Sequence, residues 1–307
     1  MSAVRFVDIE REFNASLPFP EKLEPHLEEA LCHVLENPGS LVRPRIVFQM
    51  VLAFGMGIAA AKDLAIALEY FHTASLLFDD LPCMDNALER RGSPCVHVEY
   101  GEAPAILSAL ALINRAYALT WRALSTGVPG RQSRAITYIE RQLGLEGALN
   151  GQSLDLHYAT LSHDEATTQR IAIGKTVPLI RLTLVLPAIL GGASEREIHQ
   201  LERLSMHWGL SYQILDDLKD VLRTSHETGK TVARDVLLNR PNMAVAIGLS
   251  EASKRLNRLI KLGDKTLTRM LQSRPSLAFM KQLRADMQRD MTEVIRETFD
   301  VAVLEPQ

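Results

Sequence analysis

Aspartate pairs follow apolar stretches at two distant places in this 307-residue sequence. Adjacent acids repel each other, and beside a buried wall they lose hydration unless a cation joins them. Open clusters of carboxylate oxygens suit Mg²⁺, which keeps several waters and links carboxylates to substrate phosphates. A solvated helix end is the plain alternative for either cluster alone, but the repetition favours a metal–diphosphate site. The acids are Asp79, Asp80 and Asp85 in HTASLLFDDLPCMDNALERRG, and Asp216, Asp217 and Asp220 in GLSYQILDDLKDV.

The elements that carry these acids are predicted to be helices. Apolar residues recur at three- and four-residue steps through most of the chain, and no strand-like alternation bounded by hairpin turns competes with them. Residues 195–222 are predicted to form one long amphipathic helix, on which Asp216 and Asp220 share a face. Residues 43–61 are apolar nearly all round and predict one central helix. We therefore expect an all-α fold, a bundle of about ten or more helices around a central apolar cavity.

The composition is that of an ordinary globular protein, with 47% hydrophobic residues, 23% charged residues and a formal net charge of -3. This balance gives no electrostatic reason to expect nucleic acid as a partner. The longest uncharged run, 46–61, is shorter than the roughly 20 residues of a spanning helix, which predicts no membrane span. Cys32, Cys83 and Cys95 lack metal-ligand spacing and predict reduced thiols in a cytoplasmic protein. No linker or repeat divides the chain, so residues 1–307 are predicted to form a single domain.

The order of the motifs resembles the trans-isoprenyl diphosphate synthase (polyprenyl synthetase) family, most closely the bacterial geranylgeranyl diphosphate synthases. DDLPCMDNALERRG matches the first aspartate-rich motif of that family with its arginine pair, and DDLKD matches the second. GQSLDL at 151–156 and GKT at 174–176 fall between them, and GKTVARD at 229–235 follows. The resemblance implies the isoprenoid synthase fold. It also implies Mg²⁺-dependent condensation of isopentenyl diphosphate with an allylic prenyl diphosphate.

The resemblance assigns the acids and the nearby cations to a reaction in which diphosphate leaves an allylic carbon. The acids would hold Mg²⁺, about three ions, and the metal and the cations would stabilise the charge of the leaving group. The metal ligands implied are Asp79, Asp80, Asp85, Asp216 and Asp217, with Asp220 close by.

The remaining matched residues are assigned to the two diphosphate substrates. Gln152 and Asp155 lie where the family has a Gln/Asp helix, and a bond between helices is their alternative role. Lys175 is expected to act in catalysis as well as in binding, because it would meet the developing charge. The allylic diphosphate would be bound by Arg90, Lys175, Thr176, Gln213 and Lys230, and isopentenyl diphosphate by Arg43, His72 and Arg91.

One stretch departs from the family pattern. The family carries Gly-Gly-Lys-Arg-x-Arg-Pro before its first large apolar helix, whereas this chain has PGSLVRP, with Ser40 and Leu41 where lysine and arginine are expected. The missing lysine binds isopentenyl diphosphate in the family. Arg43 remains, and together with Arg91 and His72 it could form a reduced site for the acceptor.

The product is predicted to be geranylgeranyl diphosphate, with 20 carbons in the family's nomenclature. Phe71, Ser75 and Asp79 lie roughly on one helix face at four-residue steps, with Ala74 adjoining. In the family, the position five before the first aspartate is often aromatic in enzymes that stop at farnesyl diphosphate. Because Ala74 is small, the prenyl tail is expected to pass it and to stop deeper, at Phe71.

Other functions stay open at this stage. Farnesyl diphosphate synthase is the alternative closest in chemistry. A terpene cyclase or atypical coupling enzyme would ionise a prenyl diphosphate without a normal isopentenyl site. A third alternative is a catalytically weak subunit that binds an active synthase. The resemblance and the very apolar helices also predict a homodimer.

Overall fold

The computed structural model describes residues 8–222, 240–289 and 291–292. The chain divides into two compact units, Met1–Gln132 and Ser133–Gln307. The described residues are helical apart from turns, short 3₁₀ segments and one two-stranded hairpin, so the prediction of an all-α fold is confirmed. The prediction of a single domain stays a prediction.

The first unit is built around a helix that ends at the first aspartate. This helix, α4 (Ile58–Asp79), packs against α3 (Val42–Ala53) and α6 (Glu102–Ser125). Every residue from 64 to 71 along it is buried. The described elements of the unit are α1 (Ile9–Ala15), α2 (Pro25–Glu36), α3 (Val42–Ala53), α4 (Ile58–Asp79), β1 (Glu89–Arg90), β2 (Ser93–Pro94), α5 (Val96–Glu99) and α6 (Glu102–Ser125).

The prediction of one central helix at 43–61 is wrong. Helix α3 ends at Ala53 and α4 begins at Ile58. Between them Gly55 has a φ of 82°, a left-handed conformation that glycine adopts without a side-chain clash and that ends a helix. The apolar run therefore belongs to two helices, whose directions are set separately.

The second unit is built around the long helix α11 (Glu195–Leu222), against which α10 (Val177–Leu190) and α13 (Leu249–Ser273) pack. The bounds of α11 coincide with the predicted long helix at 195–222. The described elements of this unit are α7 (Gln132–Leu143), α8 (Ala148–Leu156), a 3₁₀ turn (Tyr158–Thr160), α9 (Glu165–Lys175), α10 (Val177–Leu190), α11 (Glu195–Leu222), α12 (Met243–Ile247), α13 (Leu249–Ser273), a second 3₁₀ turn (Pro275–Leu277) and α14 at 280–289.

Within the described ranges, α6 is long and apolar enough to cross a membrane, and the bent pair α9–α10 would count as a second such segment if taken together. Both findings rest on helix length and composition alone, and the core helices of soluble proteins meet the same criterion. It is weak support for a span, and the prediction of no membrane span stays a prediction.

Candidate active site

The first aspartates lie in a compact turn at the end of α4. The backbone N–H of Asp85 donates to the carbonyl oxygen of Asp79 at 2.9 Å, and that of Ala87 donates to the carbonyl oxygen of Asp80 at 3.1 Å. Asn86 closes the turn with a φ of 48°, which asparagine tolerates better than most residues. The turn therefore brings the half-buried Asp85 back beside the half-buried Asp79.

Asp80 makes a buried ion pair with Arg90. Asp80 is only 3% exposed, and the Nε of Arg90 lies 2.8 and 2.9 Å from its two carboxylate oxygens, with Nη2 at 2.5 Å from Oδ1. Burial lowers the pKa of the Arg90 guanidinium, but the hydrogen bonds and the charge of Asp80 outweigh burial and raise that pKa. Asp80 is thus buried and paired with a cation, whereas Asp79 and Asp85 are half-buried, so Asp79 and Asp85 are the more accessible candidate metal ligands of this turn.

The arginine pair sits on a hairpin that the sequence reasoning missed. Arg90 pairs with Ser93 across β1 and β2, so Arg91 and Gly92 form a two-residue turn with φ angles of 57° and 79°. Two consecutive positive φ values are typical of the type I′ hairpin turn. As a result the two arginines diverge: Arg90 reaches Asp80, whereas Nη1 of Arg91 donates to the carbonyl oxygen of Asn37 at 2.9 Å.

The structure brings the three residues assigned to isopentenyl diphosphate close together. Burial lowers the pKa of His72 well below its ordinary value, and the charges of Arg43, Arg91 and Arg90 lower it further. His72 is therefore a neutral imidazole beside a group of guanidinium ions at neutral pH. Its buried Nδ1 has no hydrogen-bond partner among the residues that the structure describes. The cluster is suited to an anion that carries hydrogen-bonding oxygens.

The loop that departs from the family pattern lies beside this cluster. Leu41 is 3% exposed and has a φ of 50°, so its side chain packs inward, whereas Ser40 is exposed. A Cβ at Gly39 would lie 2.5 Å from Nε of Arg91, so the absence of a side chain lets the Arg91 guanidinium pack on this loop. The loop therefore supports Arg91, although it supplies no cation at positions 40 and 41.

The chain-length residues differ in their exposure along α4. His72, Ser75 and Asp79 are half-buried, whereas Ala74 is completely buried and Phe71 nearly so. The ring of Phe71 packs edge-on against Tyr117 of α6, with 4.9 Å between the ring centroids. The more open face of α4 thus runs through Ser75 and is bounded by an aromatic pair.

In the second unit, two glycines let α8 and α9 pack in backbone contact. A Cβ at Gly151 would lie 2.1 Å from the carbonyl carbon of Gly174, a distance that excludes any side chain. This contact brings Asp155 next to Lys175, whose Nζ donates to Oδ2 of Asp155 at 2.7 Å. Gln152 lies on the same helix and is half-buried.

Arg240 is a cation at this place that the sequence reasoning missed. Its Nη1 donates to the carbonyl oxygen of Asp155 at 3.2 Å, and its Nε lies 3.9 Å from Oδ2 of the same residue. Asp155 is therefore a buried carboxylate between two cations, Lys175 and Arg240. We interpret it as the group that holds the Lys175 ammonium in place.

A hydrogen-bond chain links the bend between α9 and α10 to the second aspartate pair. The two helices meet at an angle of 46°, and there the Thr176 hydroxyl donates to Oε1 of Gln213 at 2.6 Å. The amide Nε2 of Gln213 donates to Oδ1 of Asp217 at 2.8 Å, and the backbone N–H of Met243 donates to Oδ2 at 2.7 Å. Asp217 is 1% exposed, so protein donors already use both of its oxygens.

The other two aspartates of α11 differ from each other in burial. Asp220 is buried, whereas Asp216 is half-buried. Of the three aspartates, Asp216 is therefore the one that solvent and a metal ion reach most easily. Lys230, which was assigned to the allylic diphosphate, lies outside the described residues.

The acids fit Mg²⁺ better as partial ligand sets than as a complete cage. Within residues 8–222, 240–289 and 291–292, no three His, Cys, Asp or Glu side chains are grouped so that they could hold a metal ion alone. Mg²⁺ is typically bound by one or two carboxylates together with water and substrate phosphates. Asp79 and Asp85 form such a pair of hard oxygen donors in the first unit, and Asp216 is a donor of the same kind in the second.

The all-α fold thus carries half-buried carboxylates that suit a metal ion, and arginine and lysine side chains that suit an anionic ligand. Comparison with known proteins identifies the class more closely. The polyprenyl synthetase family model matches residues 24–273. Geranylgeranyl pyrophosphate synthase 11, a chloroplastic protein of Arabidopsis thaliana, is 36% identical over 252 residues, which are 80% of this chain and 70% of that protein.

Solved structures agree with this assignment. A geranyltransferase from Helicobacter pylori, complexed with magnesium and isoprenyl diphosphate, has a TM-score of 0.77 and 26% identity, covering 95% of this chain and 94% of that one. An apo FPP/GFPP synthase from Zymomonas mobilis has a TM-score of 0.72 and 29% identity, covering 92% and 93%. The chain belongs to the polyprenyl synthetase family. It is a prenyltransferase of the short-chain prenyl diphosphate synthase type.

Proposed function

We propose that the protein uses Mg²⁺ to condense isopentenyl diphosphate with an allylic diphosphate, and that the product is geranylgeranyl diphosphate. One observation carries this proposal. In the first unit, the metal-binding turn of Asp79 and Asp85 and the anion cluster of Arg43, His72 and Arg91 both adjoin the C-terminal part of α4. Carboxylates for a metal and cations for a diphosphate thus border the same apolar helix.

The residues of the chain would bind the two diphosphates and exclude water. Arg43, His72 and Arg91 would hold the diphosphate of the acceptor, while Lys175 and Thr176 would hold that of the allylic substrate. Bound Mg²⁺ would supply positive charge that stabilises the leaving diphosphate. The apolar wall of α4 before Asp79 would keep water from the allylic cation.

The reaction then needs no nucleophile from the protein. The bond between the allylic carbon and oxygen breaks, and diphosphate leaves with the electron pair. The double bond of isopentenyl diphosphate forms the new carbon–carbon bond. A proton lost from the acceptor passes to the departing diphosphate, and a new allylic double bond remains.

The product length would be set by the more open face of α4. Ser75 lies about 6 Å and Phe71 about 12 Å along the helix from Asp79. A tail that follows this face passes the small Ser75 and meets the aromatic pair of Phe71 and Tyr117. The position of this aromatic pair supports a longer prenyl tail than in an enzyme that has an aromatic residue near position 75.

Ser75→Phe is expected to shorten the main product by one isoprene unit, because the new ring would occupy the more open face of α4 about one turn from Asp79. Ala74→Phe is expected to shorten it too, with a loss of stability of about 1–3 kcal/mol because Ala74 is completely buried. Ile58→Phe, at the other and exposed end of α4, is the control. Chromatography of the dephosphorylated products measures the outcome, and an unchanged profile in Ser75→Phe would place the floor elsewhere.

One feature favours a second candidate. Because Ser40 and Leu41 supply no cation, the site for isopentenyl diphosphate has fewer cations than the family pattern. An enzyme that ionises a prenyl diphosphate without isopentenyl diphosphate needs no such site. A terpene cyclase or atypical coupling enzyme would fit this feature. The retained cluster of Arg43, His72 and Arg91 favours the synthase.

Product analysis separates these candidates. Purified protein is incubated with Mg²⁺ and dimethylallyl, geranyl or farnesyl diphosphate, with and without labelled isopentenyl diphosphate. The synthase forms labelled geranylgeranyl diphosphate. Farnesyl diphosphate as the end product identifies a farnesyl diphosphate synthase, and an unlabelled hydrocarbon or alcohol identifies a cyclase. Protein that turns over none of the substrates would fit a subunit that acts only with an active synthase.

We further propose that the enzyme is a homodimer that buries the outer face of α6. Apolar side chains are exposed on one side of this helix between residues 106 and 121, over about 22 Å. Contiguous exposed apolar surface of this kind marks an interaction site. Trp121 is the most exposed of them, at 63%. These side chains are Ile106, Leu107, Leu110, Tyr117 and Trp121.

Sedimentation at micromolar concentration is expected to show a dimer for the wild type and a monomer for the double variant Leu110→Glu/Trp121→Glu. Two buried carboxylates per subunit would oppose association. Leu145→Glu changes an exposed leucine outside α6 and is expected to leave the dimer intact. A wild type that sediments only as a monomer would rule out the dimer.

A cytoplasmic location is supported by the cysteines. None of Cys32, Cys83 and Cys95 forms a disulfide, and Cys32 and Cys83 are exposed. Exposed cysteines without disulfides are typical of a reducing compartment.

A further inference from the structure

Glu69 is a buried carboxylate in a part of α4 that is otherwise apolar or aromatic. It is 2% exposed, and its neighbours from 64 to 71 are buried too. Burial of a carboxylate is unfavourable unless a cation or hydrogen-bond donors compensate it. Nη1 of Arg43 lies 3.3 Å from Oε2 of Glu69. Burial raises the pKa of Glu69, while the charges of Arg43 and Arg91 oppose this rise.

The surroundings of this ion pair are rich in cations. Arg43 approaches from α3, and Arg90 and Arg91 approach from the hairpin. Arg90 is paired with Asp80. Arg91 donates a hydrogen bond to the carbonyl oxygen of Asn37. Among the described residues, no carboxylate lies within ion-pair distance of Arg91. The cluster therefore retains positive charge even though it contains Glu69.

The side of Arg43 that Glu69 engages is the buried one. The Arg43 side chain is 24% exposed, whereas that of Glu69 is 3% exposed. A guanidinium carries five N–H donors in a rigid plane. A carboxylate fixed behind it at Nη1 restricts the rotation of this plane, and the exposed donors then point in a defined direction.

We infer that Glu69 is a positioning residue that holds the Arg43 guanidinium for the diphosphate of the acceptor substrate. This inference rests on the proposed function. Glu69 itself would not touch the substrate, because a carboxylate repels diphosphate. Ser40 and Leu41 supply no cation, so only Arg43, Arg91 and His72 would bind the acceptor. The orientation of Arg43 by Glu69 therefore matters more than it would if positions 40 and 41 carried a lysine or an arginine.

The test compares Glu69→Gln with wild type in steady-state kinetics at saturating farnesyl diphosphate and Mg²⁺. Glutamine keeps the shape of the side chain but loses its charge. The KM for isopentenyl diphosphate is expected to rise about tenfold or more, whereas the KM for farnesyl diphosphate and kcat stay within about threefold. Glu69→Asp keeps the charge and is expected to restore part of the loss. Circular dichroism and thermal melting show whether each variant is folded.

A double-mutant cycle with Arg43→Ala separates positioning from a purely structural role. If Glu69 acts through Arg43, then Glu69→Gln has no further effect on the KM for isopentenyl diphosphate once Arg43 is absent. Equal effects in both backgrounds would overturn the inference, and so would an unchanged KM in Glu69→Gln.

Calorimetric titration of isopentenyl diphosphate into the Mg²⁺-loaded protein, without an allylic substrate, gives the same comparison when turnover is low. If wild type and Glu69→Gln bind isopentenyl diphosphate with equal affinity, Glu69 does not position Arg43. Labelled product from the wild type would still support the proposed function in that case. A wild type that neither binds nor incorporates isopentenyl diphosphate contradicts both.

Discussion

Asp79→Ala is expected to lower turnover at least about a hundredfold while the helical content of the protein is retained. Asp79 is half-buried at the end of α4, and the turn that follows brings Asp85 back to it. Without Asp79, only Asp85 of this pair would remain to hold Mg²⁺, so the ion would bind more weakly and in a less defined position. Single-turnover kinetics with farnesyl and isopentenyl diphosphate measure the chemical step, and circular dichroism measures the fold.

Glu89→Ala provides the matched control for this variant. Glu89 is an exposed acid in the same segment, so it tests whether loss of any nearby negative charge is sufficient. We expect its turnover to stay within about threefold of wild type, because exposed charges contribute little to local energetics. Near-normal turnover in Asp79→Ala would contradict the assignment of this turn to the metal.

The adjacent acids of α11 are expected to respond differently to the same substitution. Asp217→Asn should destabilise the protein by about 1–3 kcal/mol, because an amide cannot accept from both Gln213 and the Met243 N–H, and one buried donor loses its partner. Asp216→Asn should leave the melting temperature nearly unchanged, because Asp216 is half-buried, but it should lower turnover by orders of magnitude.

Two measurements distinguish these roles. Thermal melting without Mg²⁺ reports the structural contribution, and the Mg²⁺ concentration for half-maximal turnover reports the ligand contribution. Asp216→Asn is expected to raise that concentration, whereas folded Asp217→Asn is expected to keep it near the wild-type value. The division of roles is wrong if Asp217→Asn melts like wild type and needs more Mg²⁺.

Local pattern was enough to predict the helical class and several helices. The bounds of α11 follow from its amphipathic period, and α2 ends where Pro38 and Gly39 interrupt the helix. The position of the two aspartate pairs after apolar segments was also evident from the sequence. The break between α3 and α4 was missed, because an isolated glycine inside an apolar run is compatible with either a helix or a turn.

Distant contacts account for what the sequence did not predict in the site. Asp216 and Asp217 are adjacent and identical in type, and the hydrogen bond from the Met243 N–H to Asp217 joins residues that lie far apart in the sequence. Glu69 was overlooked because its partner Arg43 lies on another helix. The Arg91–Gly92 hairpin turn was a local signal that could have been found, since it needs only two residues with positive φ.

The measurement that tests the central claim most directly is the balance between diphosphate released and isopentenyl diphosphate consumed. Purified protein is given Mg²⁺ and farnesyl diphosphate, and both quantities are followed as isopentenyl diphosphate is added. A prenyl diphosphate synthase releases one diphosphate for each isopentenyl diphosphate that it incorporates, and it releases almost none without it. Release that is equally fast in the absence of isopentenyl diphosphate would contradict the account and identify an enzyme that ionises its prenyl substrate without an acceptor.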